Sequence, residues 1–218
     1  MRSSLQFQIF AWITVVTLGL ITAANLTVDA LKFSASIVLD KPGLSPLAAN
    51  VDQACLASTI NFDRTEVQVD CALARSMQAL DASDPNQHEL NEQAQAVVIR
   101  TLSNAPHESR LWLALALLRS RLNQPHGDAL KMSYLTGPLS LDLIPRRLAS
   151  AVSSDAMADE DLQELAAGDI RLILTARRDI QGAIVGAYRQ ASSIGKKFIE
   201  EKTNVLDPQF SSSLRNAK

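Results

Sequence analysis

Two cysteines, three histidines, three dibasic pairs and one cluster of hydroxyl-bearing residues are the side chains with which this 218-residue chain could do chemistry. Cys55 and Cys71 are the only cysteines. Structural zinc needs four ligands, and no histidine or second cysteine pair stands at ligand spacing. A redox-active pair usually has the Cys-x-x-Cys form, which is missing. Two readings remain: a structural disulfide, or two small buried apolar residues. Apolar positions near each cysteine recur at three and four residues (Leu47, Ala48, Val51, Ala54; then Val67, Ala74, Met77), which predicts two helices. Asn61 to Thr65 reads as the turn between them, with Thr65 as N-cap. Cys55 and Cys71 are equidistant from Asp63, so an antiparallel hairpin sets them face to face. A bridge is expected if this part of the chain is exported.

His88, His107 and His126 are evenly spaced and each closely follows a proline, so each is expected in a turn. Alternate turns of an antiparallel stack lie at opposite ends, which removes His107 from the other two by a helix length, roughly 20 Å. No shared metal is expected. Ile194-Gly195-Lys196-Lys197 looks like the end of a phosphate loop. Gln190 stands where its first glycine is required, however, and Lys197 replaces the magnesium-binding Ser or Thr. G-x-S-x-G, H-E-x-x-H and G-x-G-x-x-G do not occur. Glu200 and Glu201 fall on an amphipathic helix end and read as a solvated face. The expectation is a protein without enzyme activity, cofactor or metal.

The pairs Arg146-Arg147, Arg177-Arg178 and Lys196-Lys197 could meet anionic headgroups or an acidic polysaccharide. Cations after a helix's last turn are favourable without any ligand, which accounts for Arg177 and Arg178. Met132 to Pro138 gathers Ser133, Tyr134 and Thr136 at a helix end and is expected to face a groove. Tyr134, Ser133, Arg146 and Arg147 are therefore the expected interaction surface.

The elements that must hold these groups read as helices throughout. Leu90, Ala94, Val97, Val98 and Leu102 form one apolar stripe. Leu162, Leu165, Ala166, Ile173 and Ala176 form another, opened by Asp159-Glu160-Asp161, whose charges suit a helix N-terminus. Ile180, Ala183, Ile184, Ala187, Tyr188 and Ala191 form a third. Leu111 to Leu118 is apolar on every side and predicts the central core helix. Pro85, Pro106, Pro125, Pro138 and Pro145 punctuate the stripes, and Glu66 to Val69 is the best strand candidate.

Composition narrows the class. Twenty-one Lys and Arg against 23 Asp and Glu leave a net charge of -2 and no basic face for nucleic acid. With 47% hydrophobic and 20% charged residues the chain is not intrinsically disordered, and eight Gly and eight Pro exclude collagen-like or Pro-rich composition. Only 5% is aromatic, which predicts aliphatic, Ala-rich packing with Trp112 as the main aromatic at its centre.

No charged side chain occurs from Ser3 to Val28. A helix of about 20 residues crosses a hydrocarbon core of roughly 30 Å, and Leu5 to Leu26 is long enough. Thr14, Thr17 and Thr22 are tolerated there because their hydroxyls can bond the helix's own carbonyls. An uncleaved signal-anchor is expected. A cleaved signal peptide ending near Ala24 or Ala30 is the alternative, and would release a soluble periplasmic binding protein. The few flanking charges (Arg2, then Lys32 and Lys41) orient the span weakly, and the expected disulfide places the body outside the cytoplasm. The chain is thus parsed as a cytoplasmic N-terminus at 1–4, a transmembrane segment in the bilayer at 5–28, a linker at 29–44, a helical domain at 45–207 and a flexible, Ser-rich tail at 208–218.

Leu90 to Pro138 resembles a tetratricopeptide-type repeat. Trp112, Leu115 and Ala116 carry the likeness on a first helix, Ala129 and Ser133 on a second, and Pro138 closes the unit nearly one repeat length after Pro106. Ala79 to Pro85 has the look of an earlier repeat end. Such repeats stack helical hairpins, here all-α, into a curved scaffold; an unrelated helical bundle is the alternative. The resemblance implies a concave face that binds a peptide or protein, and no catalysis. The expected function is a helical scaffold or adaptor, anchored in the inner (cytoplasmic) membrane of a bacterial envelope, with its domain in the periplasm. An accessory protein or small enzyme of envelope polysaccharide processing is the alternative.

Overall fold

The computed structural model describes residues 12–20, 22–23, 55, 64–81 and 87–216. Among them every regular element is helical and no strand occurs. The body runs α1 (Thr65–Asp81), α2 (Gln87–Asn104), α3 (Ser109–Arg121), α4 (Gly127–Thr136), α5 (Ile144–Ser153), α6 (Glu160–Ala176), α7 (Gly182–Gln190), α8 (Ser193–Leu206) and α9 (Pro208–Asn216). Single 3₁₀ turns at Asp155–Ala158 and Arg178–Ile180 join α5 to α6 and α6 to α7.

α1 packs on α2, α3 lies against both, and α4 returns along α3. The apolar run in α3 is the reason for that order. Leu111, Leu113, Ala114, Leu115, Ala116 and Leu118 are all buried, which requires neighbours on more than one side. The second half is arranged differently: α7 packs on α5, while α8 touches α5, α6 and α7 and carries α9.

Local chemistry sets the boundaries. Asp159 caps α6 by accepting from the Leu162 amide at 3.1 Å, and Glu160 and Asp161 follow in the first turn. Pro145 lies in the first turn of α5, where its missing N–H costs nothing. α3 ends with Asn123 at φ 54°, and the amides of Asn123 and Gln124 close back on the Ser120 and Arg119 carbonyls at 3.1 and 2.8 Å. Asparagine is the usual substitute for glycine at that left-handed position.

Several expectations need correcting. The strand candidate at Glu66–Val69 lies in α1, where Val67 and Val69 are buried by helical neighbours. Thr65 is the first residue of that helix, and the preceding Arg64 carbonyl accepts the Val67 amide, so the cap falls one residue earlier. Trp112 is half-buried at the edge, because its indole N–H finds the Pro106 carbonyl at 2.7 Å in the turn. Tyr134, 3% exposed, and Phe198, 5% exposed, are the buried aromatics among the described residues. The C-terminal segment is not a loose tail: 208–216 form α9, whose start is capped by Asp207 on the Phe210 amide at 3.0 Å. Ser211 and Leu214 are buried there, so burial overcomes the polar composition.

Of the expected span 5–28, residues 12–20 and 22–23 are described and are helical; the remainder, and the linker at 29–44, lie outside the described residues. Among the described residues no helix is long and apolar enough to cross a membrane. The described piece buries none of its apolar side chains: Trp12 is 70% exposed, Leu18 61% and Leu20 66%.

Gly195 shows how close the packing is between the halves of the second unit. A Cβ there would run into the Val152 carbonyl, at the end of α5, and Ser192 fastens the same carbonyl through its amide at 2.9 Å. The glycine that looked like part of a phosphate loop is a contact point for helix packing. Gly195→Ala gains about 1 kcal/mol of helix propensity. It meets backbone that cannot rotate away, and overpacking of this kind typically costs about 1–3 kcal/mol. A net loss of stability is expected, read as a lowered midpoint in thermal unfolding.

Candidate functional site

Arg147 stands on the buried face of α5 with Ile144, Leu148, Ala151 and Val152, and is itself 0% exposed. Its partner is Asp169, one of the buried residues of α6 beside Ala166 and Ile170. Two guanidinium N–H groups donate to that carboxylate, Nε to Oδ2 at 3.2 Å and Nη2 to Oδ1 at 2.9 Å. Nη1 donates to the carbonyl of Gly137 at 2.9 Å, and to that of Ser133 at 3.4 Å. The Tyr134 ring lies 4.2 Å from the guanidinium carbon. One arginine therefore ties α5 to α6 and satisfies carbonyls at the C-terminal end of α4.

The electrostatics follow from burial. Desolvation pushes the Asp169 carboxyl above its ordinary range, and the Arg147 charge and hydrogen bonds pull against it without cancelling it. Burial also raises the Tyr134 hydroxyl well above its usual value, helped by the nearby Asp169 charge. The end of α4 is tightly seated: Ser133 donates to the Ser109 carbonyl at 3.0 Å, and any Cβ on Gly137 would strike the Ser109 side chain.

These distances revise the expected interaction surface. Ser133, Tyr134 and Arg147 are buried and present no face to a partner; only Arg146 of the four is half-buried. The Ser133 and Thr136 hydroxyls are spent on backbone, donating to the Ser109 carbonyl at 3.0 Å and the Met132 carbonyl at 2.7 Å, while the Tyr134 ring packs on Arg147. The segment does face a groove, through its other side chains. Met132 and Leu135 of α4, with Leu165 of α6, line a groove of about 520 Å³, and Leu135 is 63% exposed. Asp128, Asp161 and Glu164 stand around it and are exposed. Lys131, the cation at the groove, donates to Asp159 at 2.8 Å and lies 3.7 Å from Asp128. Its hydrogen bond holds the Asp159 carboxyl below the ordinary range, with help from the Leu162 amide.

On the other side of Asp159 opens a polar cleft of about 800 Å³, between the α3–α4 turn and the Asp155–Ala158 turn. Asn123, Gln124 and His126 line one wall, Ser153, Ser154 and Asp155 the other. His126 Nδ1 is 3.3 Å from the Gln124 carbonyl, and its buried Nε2 meets no hydrogen-bond partner among the described residues.

The remaining expected site residues fall as follows. Cys55 and Cys71 form a disulfide with their Cα atoms 4.7 Å apart, Cys55 helical and half-buried, Cys71 buried in α1. His88 lies within the first turn of α2 rather than in a loop, 3.4 Å from Glu92. No group of three or more His, Cys, Asp or Glu is placed to hold a metal among the described residues. Arg177 is paired with Asp179 at 2.7 Å, and Arg178 donates to the Leu174 carbonyl at the end of α6, as a helix C-terminus favours.

Glu108 caps α3 and holds Arg110 by two hydrogen bonds, of 2.8 and 3.1 Å. The bond from Arg110 lowers the Glu108 carboxyl below 4.5, although its partial burial opposes this. A lowered folded-state pKa contributes stability above the unfolded-state value, lost as pH falls through the folded one. Stability of the Glu108→Gln variant should therefore decline less than that of the parent below about pH 4.5, as read in urea titrations across that range.

No protein-family model, curated protein or solved structure matches the chain.

Proposed function

We propose that the chain is a membrane-anchored helical scaffold, with its body outside the cytoplasm in a cell envelope, that binds a protein partner. The observation that carries this reading is the exposed apolar helix at 12–20. Its large side chains, from Trp12 to Leu20, are each 54–70% exposed, and none is buried among the described residues. Thr17 donates to the Ile13 carbonyl at 2.6 Å and Thr22 to the Leu18 carbonyl, so these hydroxyls are satisfied within the helix, as a lipid environment demands. With the charge-free stretch from Ser3 to Val28 around it, the segment has the chemistry of a single-pass anchor at 5–28.

Two further features support the reading. The Cys55–Cys71 bridge suits an oxidising compartment. The order α1 on α2, α3 against both and α4 on α3 is that of two stacked hairpins, as a tetratricopeptide-like scaffold requires. The test is fractionation joined to sequencing. The full chain should stay in carbonate-washed membranes and keep its original N-terminus. A mature protein beginning at Asn25 or Leu31 would sink the anchor. Capture from detergent-solubilised membranes should return a stoichiometric protein partner, and its absence would sink the scaffold.

The polar cleft favours a second reading, an accessory enzyme of envelope polysaccharide processing, because Asp155 and Asp159 line it together with His126. Glycan hydrolysis abolished by His126→Ala and Asp155→Asn would establish it, and its failure to appear would leave the scaffold reading.

A further inference from the structure

We infer that the groove between α4 and α6 docks a basic, amphipathic helical segment of the partner protein. The inference rests on the scaffold reading and names the surface and the chemistry of its partner.

The groove is apolar at its base and acidic at its edges. Met132, Leu135 and Leu165 line it, and Leu135 leaves 63% of its surface in water. Leu139, a few residues on, is 78% exposed. A leucine in water on a well-packed helix forgoes roughly 1.5–3 kcal/mol of burial, and that energy becomes available when a partner covers it. A space of this size between two helices suits the apolar stripe of a third.

Charge selects the partner. Asp128, Asp161 and Glu164 stand exposed at the groove, and Lys131 is already engaged by Asp159 at 2.8 Å. Lys131 also lies 3.7 Å from Asp128, so one cation, already donating to Asp159, faces three exposed carboxylates and the lining keeps a net negative charge. Asp161 complements the N-terminus of α6, which explains its presence on that helix. Asp128 belongs to α4, and its side chain is 94% exposed. Carboxylates from two helices therefore converge on one apolar base. An acidic or neutral helix would bring like charges or none, whereas Lys and Arg flanking a Leu-rich stripe would pair with the rim and bury the base.

The floor is rigid enough to act as a preformed site. Tyr134 and Ser133, which alternate with the groove-facing Met132 and Leu135 on α4, are locked by Arg147 and Ser109. Arg147 also binds Asp169 of α6, so the two helices that flank the groove are held by one buried side chain.

The probe is a short synthetic amphipathic helix of Leu and Lys, titrated against the full chain in detergent, with a Leu/Glu helix of the same apolar pattern and a scrambled Leu/Lys peptide as controls. The Leu/Lys helix should bind and weaken with added salt. Leu135→Ser, at an exposed position, should reduce the affinity at least about tenfold while leaving the melting curve unchanged. The combined Asp128→Asn, Asp161→Asn and Glu164→Gln variant should do the same. Equal binding of the Leu/Glu or scrambled peptide would overturn the proposal, as would affinity indifferent to both variants. A photo-crosslinker at position 135 supplies the second arm. Crosslinks to another copy of this chain, or within the chain to residues 29–44, would also overturn it. If both variants still capture the membrane partner as well as the parent does, the groove assignment fails and the scaffold reading stands; if no partner is captured at all, both fail.

Discussion

Asp169→Ala should cost about 3–5 kcal/mol of folding stability, the largest effect expected of any single substitution in the described body. The reason is asymmetry. The pair itself adds little, because desolvating two charges offsets most of their attraction. Removing the carboxylate leaves the Arg147 guanidinium buried at 0% exposure without its countercharge, and that charge cannot be neutralised by deprotonation. In urea unfolding that loss should stand out as a large share of the roughly 5–15 kcal/mol typical of a domain.

The double variant Arg147→Met with Asp169→Leu separates charge burial from packing. A plain ion pair replaced by apolar residues is often neutral or stabilising. Here Arg147 also serves the Gly137 and Ser133 carbonyls, and a buried group left without its partner costs about 1–3 kcal/mol. The expected order is parent, then double variant, then Asp169→Ala. If the double variant falls below the single one, the buried charge is not the source of the loss. Both variants should also weaken binding at the groove, because Arg147 holds α4 and α6 together.

Reduction of the Cys55–Cys71 bridge should cost about 3 kcal/mol at 25 °C, the value expected for closing a loop of this length. The comparison is urea unfolding of the oxidised parent, the parent in reductant, and Cys55→Ala in both conditions. Cys55 is half-buried, so its truncation removes little packing. Reductant should lower the parent to the level of Cys55→Ala and leave that variant where it was. A parent indifferent to reductant would show that the bridge does not contribute. The effect bears on location too, since in a reducing compartment the chain would lack this contribution.

Much of the body follows from local periodicity. The stripe Leu90, Ala94, Val98, Leu102 lies on one side of α2, with Ala94, Val98 and Leu102 buried. Leu111 to Leu118 forms the buried helix α3, and Asp159 caps α6. These depend on spacing, propensity and short-range hydrogen bonds, all of which act within a few residues. The cluster around Arg147 departs from the expected interaction surface for a different reason. Tyr134, Ser133 and Arg147 are polar and cluster near a helix end, which looks like a surface when their partners are unknown. Burial depends on Asp169, Ser109 and Gly137, distant in sequence from one or more of them.

A signal did exist. Arg147 sits in register with Ile144, Leu148 and Ala151 on a stripe that is otherwise apolar, and Asp169 sits likewise between Ala166 and Ile173. Opposite charges on the apolar faces of two helices point to each other, because neither can be buried without a countercharge. The C-terminal helix shows the same limit: Ser211 is buried because α8 lies beside it, a fact no composition records.

By itself the sequence determined the helical class, the main apolar faces, the acidic start of α6 and the contrast between a charge-free N-terminal stretch and an ordinary body, since each is set by residues close together in the chain. Only the tertiary structure decided that Arg147 is a keystone rather than a contact, that Gly195 serves packing, and that Met132, Leu135 and Leu165 open on a groove rimmed with carboxylates. Those outcomes depend on which helices become neighbours, and burial, pairing and groove shape are properties of neighbours rather than of any one segment.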